Sequence, residues 1–166
     1  MYAGALSNFA KISKKSGGIG VHMHNLRPDG SIIHSTGFPT TGIVPYLKVL
    51  NYTMLHVSQG GKRPGSCAVY LEMHHGDIED FVDLRKNYGN MERRCHDLFT
   101  AVWVSDYFME CLNEDKPWYL MCEYTCPGLS DAYGEDYKNL YQKYVSEGKY
   151  TKEIKARDLW DSVLKS

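Results

Sequence analysis

The chain has 166 residues, of which 43% are hydrophobic and 23% charged, a composition typical of one globular domain rather than of a disordered protein. Its 19 Lys and Arg nearly balance its 20 Asp and Glu, so neither nucleic acid nor a membrane surface is expected as a general partner. No apolar run is long enough to span a bilayer, and the N-terminus lacks a signal-peptide core, which predicts a cytoplasmic protein.

The first half of the chain alternates helix and strand. A helix is predicted over residues 1–15, ended by Ser16-Gly17-Gly18, and a strand over 19–26. Residues 28–42 form a loop rich in Gly, Pro, Ser and Thr that is long enough to suggest a function. The clearest helix of the chain is predicted over 42–57, with Pro45 in its first turn.

The apolar residues of the 42–57 helix form a narrow seam. They step by four, three, four and three: Ile43, Leu47, Leu50, Met54 and Val57. This spacing is typical of a coiled-coil seam rather than of a broad core stripe. The pattern leaves two interpretations equally open, packing within the domain and packing against another subunit.

The second half continues the alternation. Strands are predicted over 67–72, 98–104 and 118–122, and helices over 135–147 and 155–165. Asp77 is predicted to cap a helix that ends at Lys86, and Ser105 a short helix that ends at Leu112. The whole pattern predicts an α/β fold with a mostly parallel sheet.

Candidate metal ligands do not assemble into a predicted site. His22 and His24 share one face of a strand, and His74, His75 and Asp77 lie close together further along. Nothing in the sequence fixes the distance between the two groups, so no metal site is predicted. Cys122 and Cys126 have the spacing of half a zinc site without a second half, and the five cysteines are expected to be reduced, buried thiols.

Two glycine-rich stretches were candidates for ligand binding. Gly17 and Gly18 follow a helix, whereas a dinucleotide-binding motif follows a strand, so a structural turn is favoured there. In the stretch 58–65, glycines allow backbone N–H groups to approach a ligand, Arg63 can fork onto a phosphate, and Gln59 can read a base. From these residues alone, a solvated turn is the slightly favoured interpretation of that stretch.

Several longer blocks occur in a fixed order along the whole chain. They include KKSGGIGVHMHNLRPDGS, GIVPYLKVLNYT, QGGKRPG, YLEMHHGDIEDFVDLRKN, RRCHDLFTAVWVSDYFM, WYLMCEYTCPGL and GEDYKNLYQKY. Together they resemble the large, catalytic subunit of ribonucleotide reductase, in the aerobic class that uses a separate radical-generating small subunit. The resemblance implies that residues 1–166 are a single partial domain, about the first half of a ten-stranded α/β barrel.

The resemblance also implies roles for individual residues. The helix that ends at Lys14 and the 42–57 helix would form a bundle across a subunit dimer, which favours the intermolecular interpretation of the seam. The residues implied to bind a nucleotide effector are Lys14, Arg27, His34 and Ser35. The residues implied to form a specificity loop near the substrate are Ser58, Gln59, Gly60, Gly61, Lys62 and Arg63, with Gly17 and Gly18 also close to the substrate.

The activity implied by the resemblance is the reduction of ribonucleoside diphosphates to deoxyribonucleotides for DNA synthesis. The implied partners are an ATP or deoxynucleotide effector, a second large subunit and the small subunit. No cofactor would bind this chain directly, because the radical comes from the small subunit and the electrons from a thioredoxin-type reductant.

The chain also departs from the family pattern. The QGGKRPG loop is one residue short, and Met73-His74-His75 replaces the usual PWH, which keeps His75 but loses a bulky aromatic. No residue matches the radical cysteine or the reducing cysteines, so the chain is expected to be inactive alone. The alternatives are a non-catalytic module that binds deoxynucleotides or dimerises, and a non-functional gene remnant.

Overall fold

The computed structural model describes residues 2–57, 63 and 65–166. Helices in this part of the chain are α1 (Ser7–Lys14), α2 (Val44–His56), α3 (Ile78–Val82), α4 (Asp106–Asn113), α5 (Gly134–Ser146) and α6 (Ala156–Leu164). A π-helical turn, Tyr2–Leu6, precedes α1, and 3-10 turns occupy Asp83–Arg85 and Met91–Arg93. None of the described helices combines the length and apolar character needed to cross a membrane.

The strands form two separate sheets. The larger sheet is parallel, in the order β1 (Ile19–His22), β2 (Cys67–Glu72) and β3 (Leu98–Trp103). The smaller sheet pairs β4 (Pro117–Leu120) antiparallel to β5 (Lys152–Lys155). The predicted α/β fold with a mostly parallel sheet is confirmed, and the described strands make an open sheet rather than a closed barrel.

The two faces of the parallel sheet differ sharply in burial. Cys67, Val69 and Leu71 of β2 point into the core, where α2 and α3 also bury their apolar side chains. On the opposite face, Tyr70 is 37% exposed and Trp103 is 61% exposed. The helices therefore cover one face of the sheet and leave the other open around Tyr70 and Trp103, whereas Glu72 at the carboxyl end of β2 is buried.

The seam of α2 faces the core of this chain itself. Ile43, Leu47, Leu50 and Met54 are completely buried among the chain's own side chains. The interpretation of this seam as an intermolecular contact is therefore wrong. Burial removes these side chains from any partner, and the apolar residues that α2 leaves exposed form a different row, spaced by three: Val49, Tyr52 and Leu55.

Helix α1 ends in two hydrogen bonds that reverse the chain. The Ser16 N–H donates to the Ser13 carbonyl and the Gly17 N–H to the Ile12 carbonyl, each at 3.0 Å, which is the Schellman pattern. Ser16 itself takes the left-handed conformation with φ of 66°. The structural interpretation of these glycines as a helix end is thus confirmed for Gly17, while the left-handed position falls one residue earlier.

Gly17 and Gly18 are expected to respond differently to alanine. A Cβ at Gly17 would lie 2.5 Å from Ile12 Cγ2 and 3.1 Å from the Ile12 carbonyl oxygen, whereas nothing lies within 4 Å of one at Gly18. Gly17→Ala should lower the free energy of unfolding by about 1–2 kcal/mol, and Gly18→Ala should change it by less than about 0.5 kcal/mol. Urea denaturation of both variants measures the difference, and equal losses would contradict this account of the turn.

The sequence predicts that Asp77 caps α3, but in the structure its side chain does not. Its Oδ1 accepts the Asp29 N–H and its Oδ2 accepts the Ile43 N–H, both at 2.9 Å, and no side-chain bond caps α3. Ile43 is the residue that precedes α2, so the carboxylate satisfies an amide at the start of a different helix. The prediction was wrong because the Asp77 carboxylate binds amides of residues distant in sequence instead of the amides of α3.

Two other boundaries differ from the predictions. Strand β1 ends at His22 rather than at residue 26, because the chain turns through a bond from the Leu26 N–H to the Met23 carbonyl. Strand β4 begins at Pro117 and pairs antiparallel with β5, a strand that the sequence does not predict because Lys152–Lys155 is polar and largely exposed. The predicted strand 67–72 and the predicted Ser105 cap are confirmed, with the Phe108 N–H donating to Ser105 Oγ at 3.2 Å.

Candidate functional site

Residues 28–42, predicted as a loop, fold back on themselves as a finger. The Gly30 N–H donates to the Thr40 carbonyl at 3.0 Å and the Thr40 N–H to the Ser31 carbonyl at 2.8 Å. Nearer the tip, the Ile33 N–H donates to the Phe38 carbonyl at 2.9 Å. Asp77 binds amides at both ends of the finger, so its base is fixed while its tip extends into solvent.

The finger brings two of the predicted effector residues to one aromatic ring. The Arg27 guanidinium carbon lies 4.0 Å from the centroid of the Tyr124 ring, and the His34 ring centroid lies 5.3 Å from it. Ser31 Oγ also lies 3.6 Å from Cys122 Sγ, which holds the finger against the same segment. Ser35 follows His34 on the exposed tip. A cation beside two neighbouring aromatic rings suits a ligand that carries both phosphate and an aromatic base.

Lys14, the remaining predicted effector residue, belongs to a separate cationic surface. It lines an open cavity of about 380 Å³ with Ala10, Lys11, His56 and Val57, where α1 and α2 end side by side. Among the described residues, no contact joins Lys14 to Arg27 or His34. The structure therefore divides the four predicted effector residues into the finger group and this helix-end group.

The predicted specificity loop lies almost wholly outside the described residues. This applies to Ser58, Gln59, Gly60, Gly61 and Lys62, while Arg63 is exposed. At Gly65 the chain passes tightly between α1 and α2, since a Cβ on Gly65 would meet Ser13 Oγ and lie 2.7 Å from the Met54 carbonyl oxygen. Gly17 and Gly18 are also exposed, beyond the end of α1.

A buried polar cluster, not predicted from the sequence, occupies the carboxyl end of β2. Glu72 is only 6% exposed, and its Oε2 lies 3.0 Å from His74 Nε2 and 2.5 Å from Ser130 Oγ. Ser130 Oγ also lies 3.0 Å from Glu123 Oε2, and His74 Nδ1 lies 3.1 Å from the Tyr137 hydroxyl. We refer to Glu72, His74, Glu123, Ser130 and Tyr137 as the carboxyl cluster.

Burial sets the protonation states within the carboxyl cluster. It raises the pKa of Glu72 to about 7, with Glu123 and Asp131 adding repulsion and the Ser130 hydrogen bond acting in the opposite direction. Burial also lowers the pKa of His74 to about 3, with nearby histidines adding to the effect. The contact between His74 and Glu72 is therefore a hydrogen bond from a neutral imidazole rather than an ion pair at neutral pH.

The carboxyl cluster faces a small cavity of about 140 Å³. The cavity lies where β2 and β3 end and where α4 and α5 begin; among its lining residues are Glu72, His74, Trp103, Asp106, Tyr133 and Tyr137. The sequence offered one signal for this site, a glutamate inside an otherwise apolar strand. A carboxylate in such a position is buried and needs partners; His74 is two residues away, but Ser130 lies 58 residues away and could not be named.

His75, which matches the histidine of the PWH motif, makes both of its hydrogen bonds to backbone groups. Its Nε2 lies 2.7 Å from the Leu26 carbonyl oxygen, and its Nδ1 accepts the Asp77 N–H at 3.1 Å. Burial lowers the pKa of His75, so the neutral ring donates through Nε2 and accepts through Nδ1. No group of three or more potential ligands within the described ranges could hold a metal ion.

A family model described as the ribonucleotide reductase barrel domain matches residues 3–166. The chain belongs to this family. It is 48% identical over 162 residues to the ribonucleoside-diphosphate reductase large chain of Neurospora crassa, and 48% identical over 160 residues to the large subunit of Caenorhabditis elegans. The Vaccinia virus large subunit is 46% identical over 162 residues.

The similarity to reductase large subunits covers nearly all of this chain but a minor part of each relative. These alignments span 97%, 96% and 97% of the chain, and 17%, 20% and 21% of the Neurospora, Caenorhabditis and Vaccinia proteins respectively. The suspected membership of the ribonucleotide reductase family is confirmed. The chain thus corresponds to about one fifth of a reductase large subunit.

Proposed function

We propose that this chain is part of a ribonucleoside-diphosphate reductase large subunit, which reduces ribonucleotides to deoxyribonucleotides for DNA synthesis. The observation that carries the proposal is the family match over residues 3–166 at close to half identity. Within the complete protein, β1, β2 and β3 would be consecutive strands of a ten-stranded barrel. The open face of the sheet, with Tyr70 and Trp103, would then point into the barrel.

This part of the subunit would bind the nucleotide effector rather than perform the chemistry. Lys14 and Arg27 would hold phosphates as charge-assisted donors, and the finger tip with His34 and Ser35 would lie beside the deoxynucleotide. The Tyr124 ring lies against both Arg27 and His34, which favours a fixed orientation of both side chains. The effector would be ATP or a deoxynucleoside triphosphate.

The specificity loop, from Ser58 to Arg63, would relay the identity of the effector to the substrate. Gly65, two residues after the loop, packs closely against Ser13 of α1 and Met54 of α2, so a movement of the loop would begin from a fixed point. Gly17 and Gly18 would approach the ribonucleoside diphosphate. The radical would come from a separate small subunit and the electrons from a thioredoxin-type reductant, through residues outside this chain.

A dimer of large subunits would use the outer face of α2. The seam is buried, so the available apolar surface is the row of Val49, Tyr52 and Leu55, with Ile12 of α1 also exposed. Three apolar side chains at a spacing of three on one helix face suit a helix-to-helix contact with a second copy. The proposal thus retains the two helices of the predicted dimer bundle but changes the face they would use.

Reconstitution tests the proposed activity. This chain is co-expressed with the segments that flank the matching region of the Neurospora crassa large chain, and the small subunit and a thioredoxin system are added. Reduction of cytidine diphosphate is expected only when this chain is present. No turnover, alongside an active full-length Neurospora enzyme, would contradict the proposed activity.

Calorimetry tests the effector role separately. The 166-residue chain is expected to bind dTTP or dATP, and Lys14→Ala should weaken binding by a factor of about 10 to 150, because one charge-assisted hydrogen bond contributes about 1.5–3 kcal/mol. Lys143→Ala, an exposed lysine on α5, is the matched control and should leave binding unchanged. The absence of heat with both nucleotides would contradict the effector role, whereas binding without turnover would favour a non-catalytic nucleotide-binding module.

A further inference from the structure

The carboxyl cluster forms one continuous chain of hydrogen-bonding groups. It runs from the Tyr137 hydroxyl through His74 and Glu72 to Ser130 and Glu123, with successive contacts of 3.1, 3.0, 2.5 and 3.0 Å. A neutral His74 carries one N–H. In the tautomer with this proton on Nε2, His74 donates to Glu72 and its Nδ1 accepts the Tyr137 O–H, so each hydrogen bond up to Glu72 has its own hydrogen.

The Ser130 end of this series of hydrogen bonds needs one more proton than ionised carboxylates and one hydroxyl provide. The Ser130 hydroxyl carries a single hydrogen, and an ionised carboxylate can only accept. Ser130 Oγ nevertheless lies within hydrogen-bond distance of a carboxyl oxygen of Glu72 and of Glu123. Both contacts are satisfied only when one carboxyl group is protonated and donates to Ser130, while Ser130 donates to the other.

The surroundings place the extra proton on Glu72. Glu72 is almost completely buried, and burial disfavours the charged form of a carboxyl group. Glu123 is only half-buried, and its Oε1 already accepts the Gly128 N–H at 2.8 Å. The hydrogen of Glu72 therefore points to Ser130, and the hydrogen of Ser130 points to Glu123.

We propose that Glu72, Ser130 and Glu123 share one exchangeable proton, and that this proton latches residues 123–130 onto the carboxyl end of β2. Without the proton, two carboxylates would face a single hydroxyl hydrogen in a buried site and would repel each other. The segment 123–130 would then separate from the sheet. This pH-sensitive latch does not depend on the proposed function.

Groups from every neighbouring element bear on this proton. From β1 and the turn after it, His22 Nε2 lies 3.7 Å from Glu72 Oε1, and the His24 ring centroid lies 4.1 Å from that of His22. His75 follows β2, Asp131 lies beyond Ser130, and Asp106 of α4 lines the same cavity. Burial lowers the pKa of His22, so at neutral pH it does not offer Glu72 a positive charge.

The sign of the pH effect follows from the direction of the Glu72 shift. Its pKa is raised from 4.5 to about 7 in the folded chain, so the stability from the protonated latch is complete below about pH 4.5 and is lost as the pH rises through about 7. The buried His74 acts in the opposite sense, because its lowered pKa removes stability as the pH falls. Total stability therefore mixes the two effects, and a signal specific to Glu72 is required.

Infrared spectroscopy supplies that signal. The difference spectrum between the wild-type chain and Glu72→Gln is expected to show the carbonyl band of a protonated carboxylic acid at about pH 6, and this band should disappear with a midpoint near 7. Labelling the wild-type chain with 13C-glutamate assigns the band to a glutamate even if Glu72→Gln does not fold, and among the described glutamates Glu72 is the one with a raised pKa. A midpoint below about pH 5 would overturn the proposal, since Glu72 would then be an ordinary carboxylate.

Two matched variants distinguish proton sharing through Ser130 from electrostatic repulsion of Glu72 by nearby carboxylates. In Glu123→Gln the Ser130 hydrogen becomes available to ionised Glu72, so the midpoint should fall by about one pH unit. Asp131→Asn also removes a nearby negative charge but leaves Ser130 between its two partners, so its shift should be less than about a third as large. Equal shifts in the two variants would overturn proton sharing.

Proteolysis tests the latch itself. Tyr124 is half exposed on the latched segment, and chymotrypsin cleavage after it should accelerate several-fold relative to Glu72→Gln between about pH 6 and pH 8.5. The comparison with Glu72→Gln at each pH removes the pH dependence of the protease. A ratio that stays constant across this range would overturn the latch.

Discussion

Replacing Trp118 with alanine is expected to lower the free energy of unfolding by about 3–5 kcal/mol. The side chain is fully buried, lies 4.5 Å from the Tyr141 ring in a stacked arrangement, and meets the Phe108 ring edge-on at 4.9 Å. Its Nε1–H also donates to the Met73 carbonyl at 3.0 Å. Alanine would leave a cavity and an unsatisfied carbonyl at once, and urea denaturation monitored by circular dichroism measures the loss.

Trp103 provides the matched control for Trp118. It is 61% exposed on the open face of the sheet, so Trp103→Ala should cost less than about 1 kcal/mol. A single domain has about 5–15 kcal/mol of total stability, so Trp118→Phe, which keeps much of the ring packing, offers a milder variant if Trp118→Ala does not fold. Similar losses for Trp118→Ala and Trp103→Ala would contradict this account of the core.

Asp77→Ala is expected to cost about 2–4 kcal/mol and to loosen the base of the finger. The substitution leaves the Asp29 and Ile43 N–H groups without an acceptor, and an unsatisfied buried donor costs about 1–3 kcal/mol. Ile43 precedes α2, so the helix also loses a negative charge near its N-terminus. Urea denaturation measures the stability, and faster amide exchange at Ile43 would report the loosened base.

Asp80→Ala is the control for Asp77→Ala. Asp80 pairs with Arg93 at 2.6 Å, but both side chains are 44% exposed, so the loss should be less than about 1 kcal/mol. An Asp77→Ala variant as stable as Asp80→Ala would show that water replaces the carboxylate at the base of the finger.

Local sequence patterns predicted the elements whose stabilising contacts are local. The strand 67–72 is an apolar run that follows glycine, and Ser105 caps α4 through an amide only three residues away. Helix α2 was recognised from its apolar spacing, with boundaries correct to within two residues. The same spacing could not tell which partner the seam meets, since burial against the chain's own core and burial against a second subunit need the same apolar side chains.

The features that the sequence did not predict depend on contacts between distant residues. Asp77 binds amides 48 and 34 residues away, and Glu72 meets Ser130 across 58 residues. Strand β5 is mostly polar and exposed, and its strand character depends on its pairing with β4, far away in sequence. Tyr124 carried no signal of its own, although it is the ring on which Arg27 and His34 meet.

The finger is supported at two points that respond to different influences. Asp77 fixes its base through two backbone amides, and neither bond depends on the side chains at the tip. The tip rests on Tyr124, which belongs to the segment held against the sheet by Ser130. Substitutions at the tip can therefore change what the finger contacts without disturbing α2, whereas any displacement of Tyr124 would reorient Arg27 and His34 together.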